Sequence, residues 1–483
     1  MKQIFLLLML MLTQFILAQT NISGSVLFKN KGVQYASVSL INSYDGSTTD
    51  VSGRFTFETE EKGPQVILVQ HPDYNDQYDT IEISHQPIEL TILLKENFKA
   101  IDAVVISAGK MEASDKKRAT VLLSALDMYT TAGSGGQVSQ ALTTLAGTQS
   151  VENASGLFVR GGTGNETQFY IDGNLVNHYF SNTVPGFSGR DRMNPSLFKD
   201  NVFSTGGYSA QYGQALSSVL ALESVDFPNQ SSVDLGIAPF FISGGFQQVN
   251  EPKTKSYGLM TTYTDFSLMK KLMSQTIEFK EVPKSWASNF NFRLKTKNGI
   301  VKYYGSYDQN NMSIIQPNVE FETLKNETAL KSKNTFHSLF WKEQWGRYTL
   351  NMGSSFTYNS TYLNFKTLKN GQEFFNKALE TKDYYLNTKT TLERKIGYIS
   401  AIRAGIEWNY ANERIQLPQL NLQYPSVQYR LATFVDSDWG ISKTLALKLG
   451  LRSEYTSLTA SWTYAPRAAV GYRVDRIMIL MKG

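Results

Sequence analysis

The residues best suited to chemistry lie in a glycine-rich stretch, residues 156–173, which reads GLFVRGGTGNETQFYIDG. Glycine backbone can ring a phosphate, but a phosphate-binding loop needs Gly-x-x-x-x-Gly-Lys followed by Ser or Thr, and this stretch contains no lysine. The pattern instead favours a loop between two strand-like runs that ends in the turn pair Asp172-Gly173. On these residues alone, an ordinary hairpin is the expected structure.

Patterns typical of catalysis or metal binding do not occur elsewhere in the sequence. None of the four histidines has metal-ligand spacing or lies near a nucleophile motif; they are His71, His85, His178 and His337. The absence of cysteine excludes a thiolate metal site and a disulfide-stapled scaffold. A net charge of +5 over 483 residues does not indicate nucleic-acid binding. We therefore expect no enzyme, no catalytic residues, and no bound metal or cofactor.

The N-terminal part of the chain carries a targeting signal and a small β-domain. Residues 1–18 are predicted to be a secretory signal peptide, because a lysine precedes an apolar run that ends at Ala18. That run is shorter than the roughly twenty residues of a membrane anchor. Short β-type runs separated by turn residues then predict a β-sandwich over residues 19–96, with Asp50 and Gly53 in a tight turn.

The central part is predicted to contain a linker and an α+β domain. Residues 97–118 are polar apart from one apolar run, DAVVIS, which could add as a strand to a partner sheet or form an ordinary linker strand. Over residues 119–226, Val138, Leu142 and Leu145 share one helical face. Gly147 is the expected end of that helix.

Residues 227–483 alternate apolar and polar side chains over long runs. Examples are residues 289–295, 350–362, 404–410 and 445–455. Aromatic residues cluster near the ends of such runs, as at Trp341, Trp345, Tyr384 and Tyr385. A soluble sandwich and a membrane barrel both give this alternation. The runs are longer than the usual strands of soluble proteins, which have about five or six residues. This length and the aromatic clusters favour a membrane barrel.

Taken in order, these parts resemble a TonB-dependent outer-membrane receptor of the Bacteroidetes type. The first domain is similar to the carboxypeptidase-regulatory-like sandwich, through Gly24-x-Val26, residues 36–40 and residues 48–55. The segments LFVRGGTGNETQFYIDGNLV and GGYSAQYGQALSSVLALES resemble the two signatures of the family's plug domain. The stretch LRSEYTSLTASWTYAPRAAVGY is similar to its mid-barrel segment, with the pair Pro466-Arg467. The matching plug residues are Arg160, Gly161, Gly162, Asp172, Gly173, Tyr212 and Gly213.

The resemblance implies a mainly β fold: an N-terminal β-sandwich, an α+β plug domain over residues 119–226, and a partial transmembrane antiparallel β-barrel over residues 227–483. Only about eleven or twelve strands fit the last region, which is about half of a 22-stranded barrel. We therefore expect the chain to be a C-terminally incomplete fragment of a longer receptor. Gln214 departs from the family pattern, because many relatives carry an arginine there.

The resemblance also assigns roles to particular residues. The TonB box would be Asp102, Ala103, Val104, Val105, Ile106 and Ser107. Arg160 would be a buried plug cation that pairs with a barrel carboxylate, Glu407 or Glu454. Turns at Gly161, Gly162 and Gly164 would let the backbone pack close to the barrel wall. Tyr179 and Phe180 would contact a ligand or, alternatively, pack within the plug apex.

The implied function is TonB-dependent import across the outer membrane. Partners would be TonB with its inner-membrane energising complex, outer-membrane lipid and the imported substrate, and a surface lipoprotein is left open as a further partner. The compact plug favours a metal chelate such as a siderophore over an oligosaccharide or a peptide. Outside the family, the alternative is a soluble secreted β-rich binding or adhesion protein.

Overall fold

A computed structural model describes most of the chain, in two compact units, residues 1–102 and 103–483. The described residues are 20–28, 30–41, 43, 45–71, 74–84, 86–94, 121–122, 130–151, 154–206, 208–272, 277–396, 400–441 and 445–472. The predicted signal peptide and the predicted TonB box, residues 102–107, lie outside this part of the chain. The two units are described separately.

The first unit is a two-sheet β-domain. Its strands are β1 Thr20–Phe28, β2 Lys31–Gly32, β3 Ser37–Leu40, β4 Gly46–Thr48, β5 Arg54–Thr59, β6 Gly63–His71, β7 Tyr74–Ile83 and β8 Ile88–Leu93. One sheet has the order β2-β1-β5 with β8 parallel to β1, and the other has the order β4-β3-β6-β7. Alternate residues of both sheets, such as Ile22, Phe55 and Ile67, form one core. In the predicted turn, Asp50 accepts hydrogen bonds from the backbone of Ser52 and Arg54, and Gly53 has a φ of 80°.

The second unit begins with a plug-like domain, the described residues of 121–226. Its elements are β9 Val121–Leu122, α1 Val138–Leu142, β10 Thr148–Gln149, β11 Phe158–Val159, β12 Thr167–Ile171, β13 Asn174–Leu175, β14 Phe198–Ser204 and β15 Ser218–Ser224. Single 3-10 turns cover Gly164–Glu166 and Pro195–Leu197. The main sheet has the order β13-β12-β15-β14-β9, in which β12 and β15 run parallel.

The predicted helix forms, with the expected face toward the core. Val138 and Leu142 are fully buried, and Leu145 packs against the same cluster. The helix ends at Leu142 rather than near Gly147, because the next residues close tighter turns: the Thr143 hydroxyl donates to a carbonyl three residues back. Gly147, with a φ of 83°, then reverses the chain.

The predicted hairpin also forms at the end of the glycine-rich stretch. Strands β12 and β13 are joined by Asp172 and Gly173 alone, and both have positive φ, 49° and 83°. Two-residue hairpin loops favour such residues, because their twist matches that of the flanking strands. The Asp172 carboxylate accepts hydrogen bonds from the backbone and hydroxyl of Ser224, which fixes the turn beside the end of β15.

The rest of the unit is one antiparallel sheet of twelve strands in sequential order, β16 to β27. The strands are β16 Ser232–Ala238, β17 Phe241–Val249, β18 Lys255–Asp265, β19 Glu278–Lys295, β20 Gly299–Pro317, β21 Leu324–Trp345, β22 Tyr348–Lys369, β23 Gln372–Lys395, β24 Ala401–Leu417, β25 Leu422–Gly440, β26 Leu445–Thr456 and β27 Ser461–Tyr472. A short helix, α2 Ser267–Leu272, follows β18, and a 3-10 turn covers Pro418–Leu420. Among the described residues, no helix is long and apolar enough to cross a bilayer.

The two-residue rhythm of these strands separates an apolar outer face from a polar inner face. On β24, Trp408 is 38% exposed on the outer face, whereas Glu407 is 2% exposed on the inner face. The inner face packs on the plug-like domain, and Tyr304 of β20 and Phe336 of β21 belong to that domain's core cluster. The sheet therefore curves around the plug-like domain, with its apolar side chains pointing away from it. Of the aromatic pairs expected at the strand ends, Tyr385 is an exception: it faces inward and donates to Glu413.

Candidate functional site

The tightest junction between the two parts of this unit is formed by the segment Tyr208–Gln214, which we call the clasped segment. It connects β14 to β15 and carries no charged side chain. Four buried or half-buried charged residues of the sheet reach its polar atoms directly. They are Lys389, Asp436, Glu454 and Arg467.

Two cations of the sheet donate to backbone carbonyls of the clasped segment. The Lys389 ammonium lies 2.7 Å from the carbonyl oxygen of Gln211 and 5.0 Å from the centre of the Tyr212 ring. The Arg467 guanidinium donates to the carbonyls of Ser209, at 2.6 Å, and Tyr212, at 2.9 Å. One guanidinium thus holds both ends of a short turn, because its planar fork presents several donors in fixed directions.

Two anions of the sheet accept hydrogen bonds from the same segment. The Asp436 carboxylate accepts from the Ser209 hydroxyl at 2.8 Å and from the Ala210 backbone at 3.2 Å. The Gln214 side-chain amide donates to Glu454. Gln214 thus makes a neutral hydrogen bond at the position where the resemblance would place an arginine.

The clasped segment has no cation of its own, but the sheet provides a buried one beside it. The Arg452 guanidinium lies 2.9 Å from Glu407 and 2.8 Å from Glu454, and all three side chains are at most 7% exposed. It lies directly against Gly213, where a Cβ atom would overlap the guanidinium. A Cβ atom at this position would have to displace the guanidinium. The backbone conformation itself does not demand glycine, since the φ of Gly213 is not in the left-handed region.

Charged side chains of both signs surround the segment on the inner face of the sheet. The cations include Lys389, Lys395, Arg403, Lys448, Arg452 and Arg467, and the anions include Glu393, Glu407, Asp436, Asp438 and Glu454. Buried charges are tolerated when they are paired and hydrogen-bonded. The clasped segment consequently adds hydrogen bonds to a network in which Arg403 and Arg452 already pair with carboxylates of the sheet.

A second junction joins the end of the plug-like domain to β19 and β20. The Lys302 ammonium lies 2.7 Å from Asp226 and donates to the carbonyl of Ser224 at 2.8 Å. Lys199 also pairs with Asp226, at 2.9 Å. Burial raises the pKa of Asp226, but the two ammonium groups lower it more, so that the pKa falls to about 2.

A third junction buries a cation of the plug-like domain. The Arg192 guanidinium is 3% exposed and lies 3.3 Å from the Asp308 carboxylate of β20. Burial lowers the pKa of Arg192, and the Asp308 charge opposes that shift. Nearby, the Asn182 amide donates to Asn359 and to Thr361 of β22.

Arg160 is not buried against the described strands, and the buried role expected for it stays a prediction. This residue is exposed and has a φ of 51°, and its side chain lies along Gly147 and Gly206 of its own domain. The left-handed turn at Arg160-Gly161 keeps the side chain on the surface of the plug-like domain. Its two expected partners are occupied elsewhere, because Glu407 and Glu454 both pair with Arg452.

The glycines of the first signature were expected to approach the sheet. In the described structure they do not. A Cβ atom at Gly162 would meet Ser217, and one at Gly164 would meet Gly156, both within the plug-like domain. Gly161 has open space around it and a φ of 79°. Close backbone approach across the junction occurs instead at Gly213, at Gly353 of β22 against Asn174, and at Gly450 of β26 against Ala210.

The two aromatic residues suggested as ligand contacts pack inside the plug-like domain. Tyr179 is 2% exposed and stacks on Phe169 with ring centroids 4.2 Å apart. Burial and the neighbouring Asp191 carboxylate raise the pKa of Tyr179. Phe180 is half-buried and packs edge-on against both rings. This packing is the second of the two alternatives given for the pair, and a ligand contact at Tyr179 and Phe180 stays a prediction.

The other signature residues lie at the junctions. Tyr212 and Gly213 belong to the clasped segment, while Asp172 and Gly173 form the turn near Lys302, whose ammonium lies 3.5 Å from the Asp172 carboxylate. The sequence-based search missed Lys389, Asp436 and Arg452, whose only sequence signal is a charge at an inward position of an alternating strand. Among the described residues, no three His, Cys, Asp or Glu side chains come together as potential metal ligands.

This architecture was compared with those of known proteins. The CarboxypepD_reg-like domain family matches residues 22–106, and no curated protein sequence matches the chain significantly. The structure of the siderophore receptor PirA from Acinetobacter baumannii is similar at a TM-score of 0.52 and 11% identity, covering 74% of this chain and 59% of that chain. A mutant of the ferric enterobactin receptor PfeA from Pseudomonas aeruginosa gives a TM-score of 0.52 and 11% identity, covering 77% and 62%. The ferric citrate transporter FecA is similar at a TM-score of 0.50 and 10% identity, covering 69% of this chain and 62% of that chain.

These likenesses establish the fold. The chain spans about three fifths of the length of the solved structures that it matches. Its sheet and plug-like domain have the fold of TonB-dependent receptors, and the predicted fold class is confirmed.

Proposed function

We propose that the protein is an outer-membrane receptor that imports a substrate by a TonB-dependent mechanism. The observation that carries the proposal is the arrangement of the second unit. An uncharged segment of the plug-like domain is held by buried charges on the inner face of a sheet whose outer face is apolar. Such a sheet suits lipid on one side and a blocked lumen on the other.

The spacing of aromatic residues on the outer face supports a membrane location. A lower row includes Trp345 and Tyr348, which pair across β21 and β22. An upper row includes Tyr358 and Tyr384, which pair across β22 and β23. Tyr348 and Tyr358 are separated by about 33 Å of strand, or about 25 Å along the normal at the usual tilt, which matches the apolar band of outer-membrane barrels.

The clasped segment is suited to being pulled away. Arg452 keeps both carboxylate partners on the sheet, so withdrawal of Tyr208–Gln214 would break hydrogen bonds without separating that buried ion triad. Leaving a buried charge unpaired would cost several kcal/mol, whereas a single hydrogen bond to a charged group contributes about 1.5–3 kcal/mol. The force would enter through the TonB box, Asp102–Ser107, by strand addition to TonB.

Within this function, a metal chelate such as a siderophore is the substrate class we favour. The plug-like domain is compact, and a chelate would be held through its organic shell, so the lack of cysteine and the scarcity of histidine do not oppose it. The similar solved structures include a siderophore receptor and a ferric citrate transporter. Oligosaccharide or peptide import by the same mechanism is the alternative substrate class.

The test is uptake of radiolabelled iron by cells that express the complete gene. The probes are ferric citrate, a ferric catecholate and a ferric hydroxamate, each compared in the intact strain and in a deletion strain. Removal of residues 102–107 should abolish gene-dependent uptake, whereas removal of residues 112–117 in the same linker should leave it. Equal uptake after both deletions would exclude the TonB-dependent mechanism.

If none of the three chelates enters in a gene-dependent manner, labelled oligosaccharides and peptides are tested with the same deletions, and uptake of one would reassign the substrate. The soluble alternative is tested separately by membrane fractionation. We expect the gene product in the outer membrane, with migration on gels that changes on heating. A soluble product whose migration is insensitive to heating would reject the receptor.

A further inference from the structure

The first unit has a long strand at the edge of its second sheet. The order β4-β3-β6-β7 places β7, Tyr74–Ile83, at one end, where it pairs with β6 alone among the described strands. Its other side carries a row of backbone N–H and C=O groups with which a further strand can pair. At ten residues, β7 is longer than the usual strand of about five or six residues, so it has room for a full additional strand.

Three carboxylates lie along this edge at intervals of three residues. Asp76, Asp79 and Glu82 span about 20 Å of strand. Asp76 and Glu82 are exposed on the outward face of the sheet, together with Tyr78, which is 57% exposed. Asp79 is half-buried and lies on the same face as the core residue Ile81. The edge is therefore acidic on both faces of the sheet.

The described residues supply no cation to these carboxylates. Asp76 accepts a hydrogen bond from the Gln70 amide at 3.1 Å, and Asp79 accepts one from the Gln77 amide at 2.9 Å. Both donors are neutral. The surrounding domain adds to the negative potential, because residues 19–96 contain 11 acidic and 5 basic residues, a net charge of −6, in a chain whose net charge is +5. A cationic partner would therefore be attracted to this edge.

The spacing of the carboxylates disfavours a second copy of the chain as the occupant. If two β7 strands paired antiparallel about Asp79, Asp76 of each copy would lie opposite Glu82 of the other, and the two Asp79 residues would face each other. Like charges directly opposite across strands are destabilising, and charged edges prevent self-association in this way. The same spacing would stabilise an added strand that carries positive charges.

We propose that β7 binds an extended basic peptide segment of a partner protein, which adds as an antiparallel strand. Its lysine or arginine side chains, three residues apart, would lie opposite Asp76, Asp79 and Glu82. One apolar residue of the segment would lie opposite Ile81 and extend the core, and another would contact Tyr78. This interaction surface belongs to the first unit and is additional to the import function.

The test measures binding of fluorescent heptapeptides to the complete detergent-solubilised protein by fluorescence anisotropy. The probe, with both termini blocked, is Lys-Val-Thr-Lys-Val-Thr-Lys, whose lysines match the three carboxylates in antiparallel register. One comparison peptide has Glu in place of each lysine. The other has Pro in place of each valine, which keeps the charge but removes two backbone donors. The lysine–valine peptide should bind at least about tenfold more tightly than either comparison peptide.

Two double variants test whether the β7 carboxylates are responsible. Asp76→Asn combined with Glu82→Gln should weaken binding of the lysine–valine peptide about tenfold, since each pair of opposite charges across strands contributes about threefold. The matched control is Glu58→Gln combined with Glu89→Gln, which removes two exposed carboxylates from β5 and β8 of the other sheet. Binding to the control variant should stay within about twofold of binding to the unaltered protein.

Three results would overturn the proposal. Equal losses in the two double variants would indicate attraction to the net charge of the domain rather than to β7. Equal binding of the valine and proline peptides would show that no strand is added. Absence of measurable binding by the lysine–valine peptide would reject the surface altogether. None of these results bears on import, which the deletions in the linker test separately.

Discussion

The guanidinium of Arg192 lies 3.3 Å from the Asp308 carboxylate, so that a buried cation of the plug-like domain pairs with the inner face of the sheet. The Arg192 nitrogen atoms have no hydrogen-bond partner among the described residues. The ionic attraction of Asp308 is therefore the main compensation for burying the guanidinium. Arg192 thus has the role that the glycine-rich signature suggested for Arg160.

Replacement of Arg192 by Met should destabilise the plug-like domain by about 3–5 kcal/mol, because it leaves the Asp308 carboxylate buried without its partner. The measurement is urea-dependent protease resistance of the detergent-purified protein. The double variant Arg192→Met with Asp308→Leu should recover most of the loss. Arg190→Met, which removes an exposed guanidinium two residues away, is the control and should cost less than about 0.5 kcal/mol. Similar losses for Arg192→Met and Arg190→Met would contradict the buried pair.

Gly213→Ala should weaken the clasped segment, because the added Cβ atom would overlap the Arg452 guanidinium. Overpacking of this kind costs about 1–3 kcal/mol. The same urea experiment measures it. Gly244→Ala on β17 is the matched control, since a Cβ atom there would meet Leu235 at an ordinary 3.6 Å. If both variants were equally stable, the close approach at Gly213 would be of no energetic consequence.

Asp226 should make the stability of the protein sensitive to acid. Its pKa falls from the ordinary 3.8 to about 2 in the folded protein, because Lys302 and Lys199 outweigh the effect of burial. A carboxyl group with a lowered folded-state pKa stabilises the fold above its unfolded pKa, and that contribution disappears as the pH falls from about 4 to about 2. The side chain is 47% exposed, so salt should weaken the effect.

Thermal melting across that pH range tests this expectation. As the pH falls, the melting temperature of the unaltered protein should decrease more steeply than that of Asp226→Asn. The two melting temperatures should converge at about pH 2. Asp234→Asn is the control, because Asp234 is an exposed carboxylate on β16 with no cationic partner within the described residues. Parallel pH profiles for the unaltered protein and Asp226→Asn would show that the Lys302 contact contributes nothing.

The strands were predictable from sequence because their chemistry is local. Alternation between Phe290 and Asn291, or between Trp408 and Glu407, records which face each side chain occupies, and the structure has the same alternation. The Asp172-Gly173 turn was equally predictable, since positive φ at two successive residues strongly restricts the choice of amino acid. The end of α1 was less so, because the threonines after Leu142 compete for backbone hydrogen bonds.

The partners across the junctions could not be predicted in the same way. Asp436 and Ser209 are separated by 227 residues, and no local pattern links them. Arg160 and Arg192 also look alike in sequence, yet one is exposed and the other is buried. The distinction depends on where the turn at Arg160 directs its side chain, which becomes visible only in three dimensions.

The hydrogen bonds of Arg467 to Ser209 and Tyr212 predict that Arg467→Lys will loosen the clasped segment. A lysine ammonium is a single point of donors and cannot span both carbonyls as the guanidinium fork does. A cysteine placed at Gln211 would report this opening, since the 483 residues contain no other cysteine. Its rate of maleimide labelling should rise about tenfold, as expected for the loss of one hydrogen bond to a charged group. Arg394→Lys is the control, because Arg394 stacks on Tyr348, away from the clasped segment. Unchanged labelling in Arg467→Lys would mean that Lys389 and Asp436 hold the segment without it, and the barrier to withdrawal would then lie with those two residues.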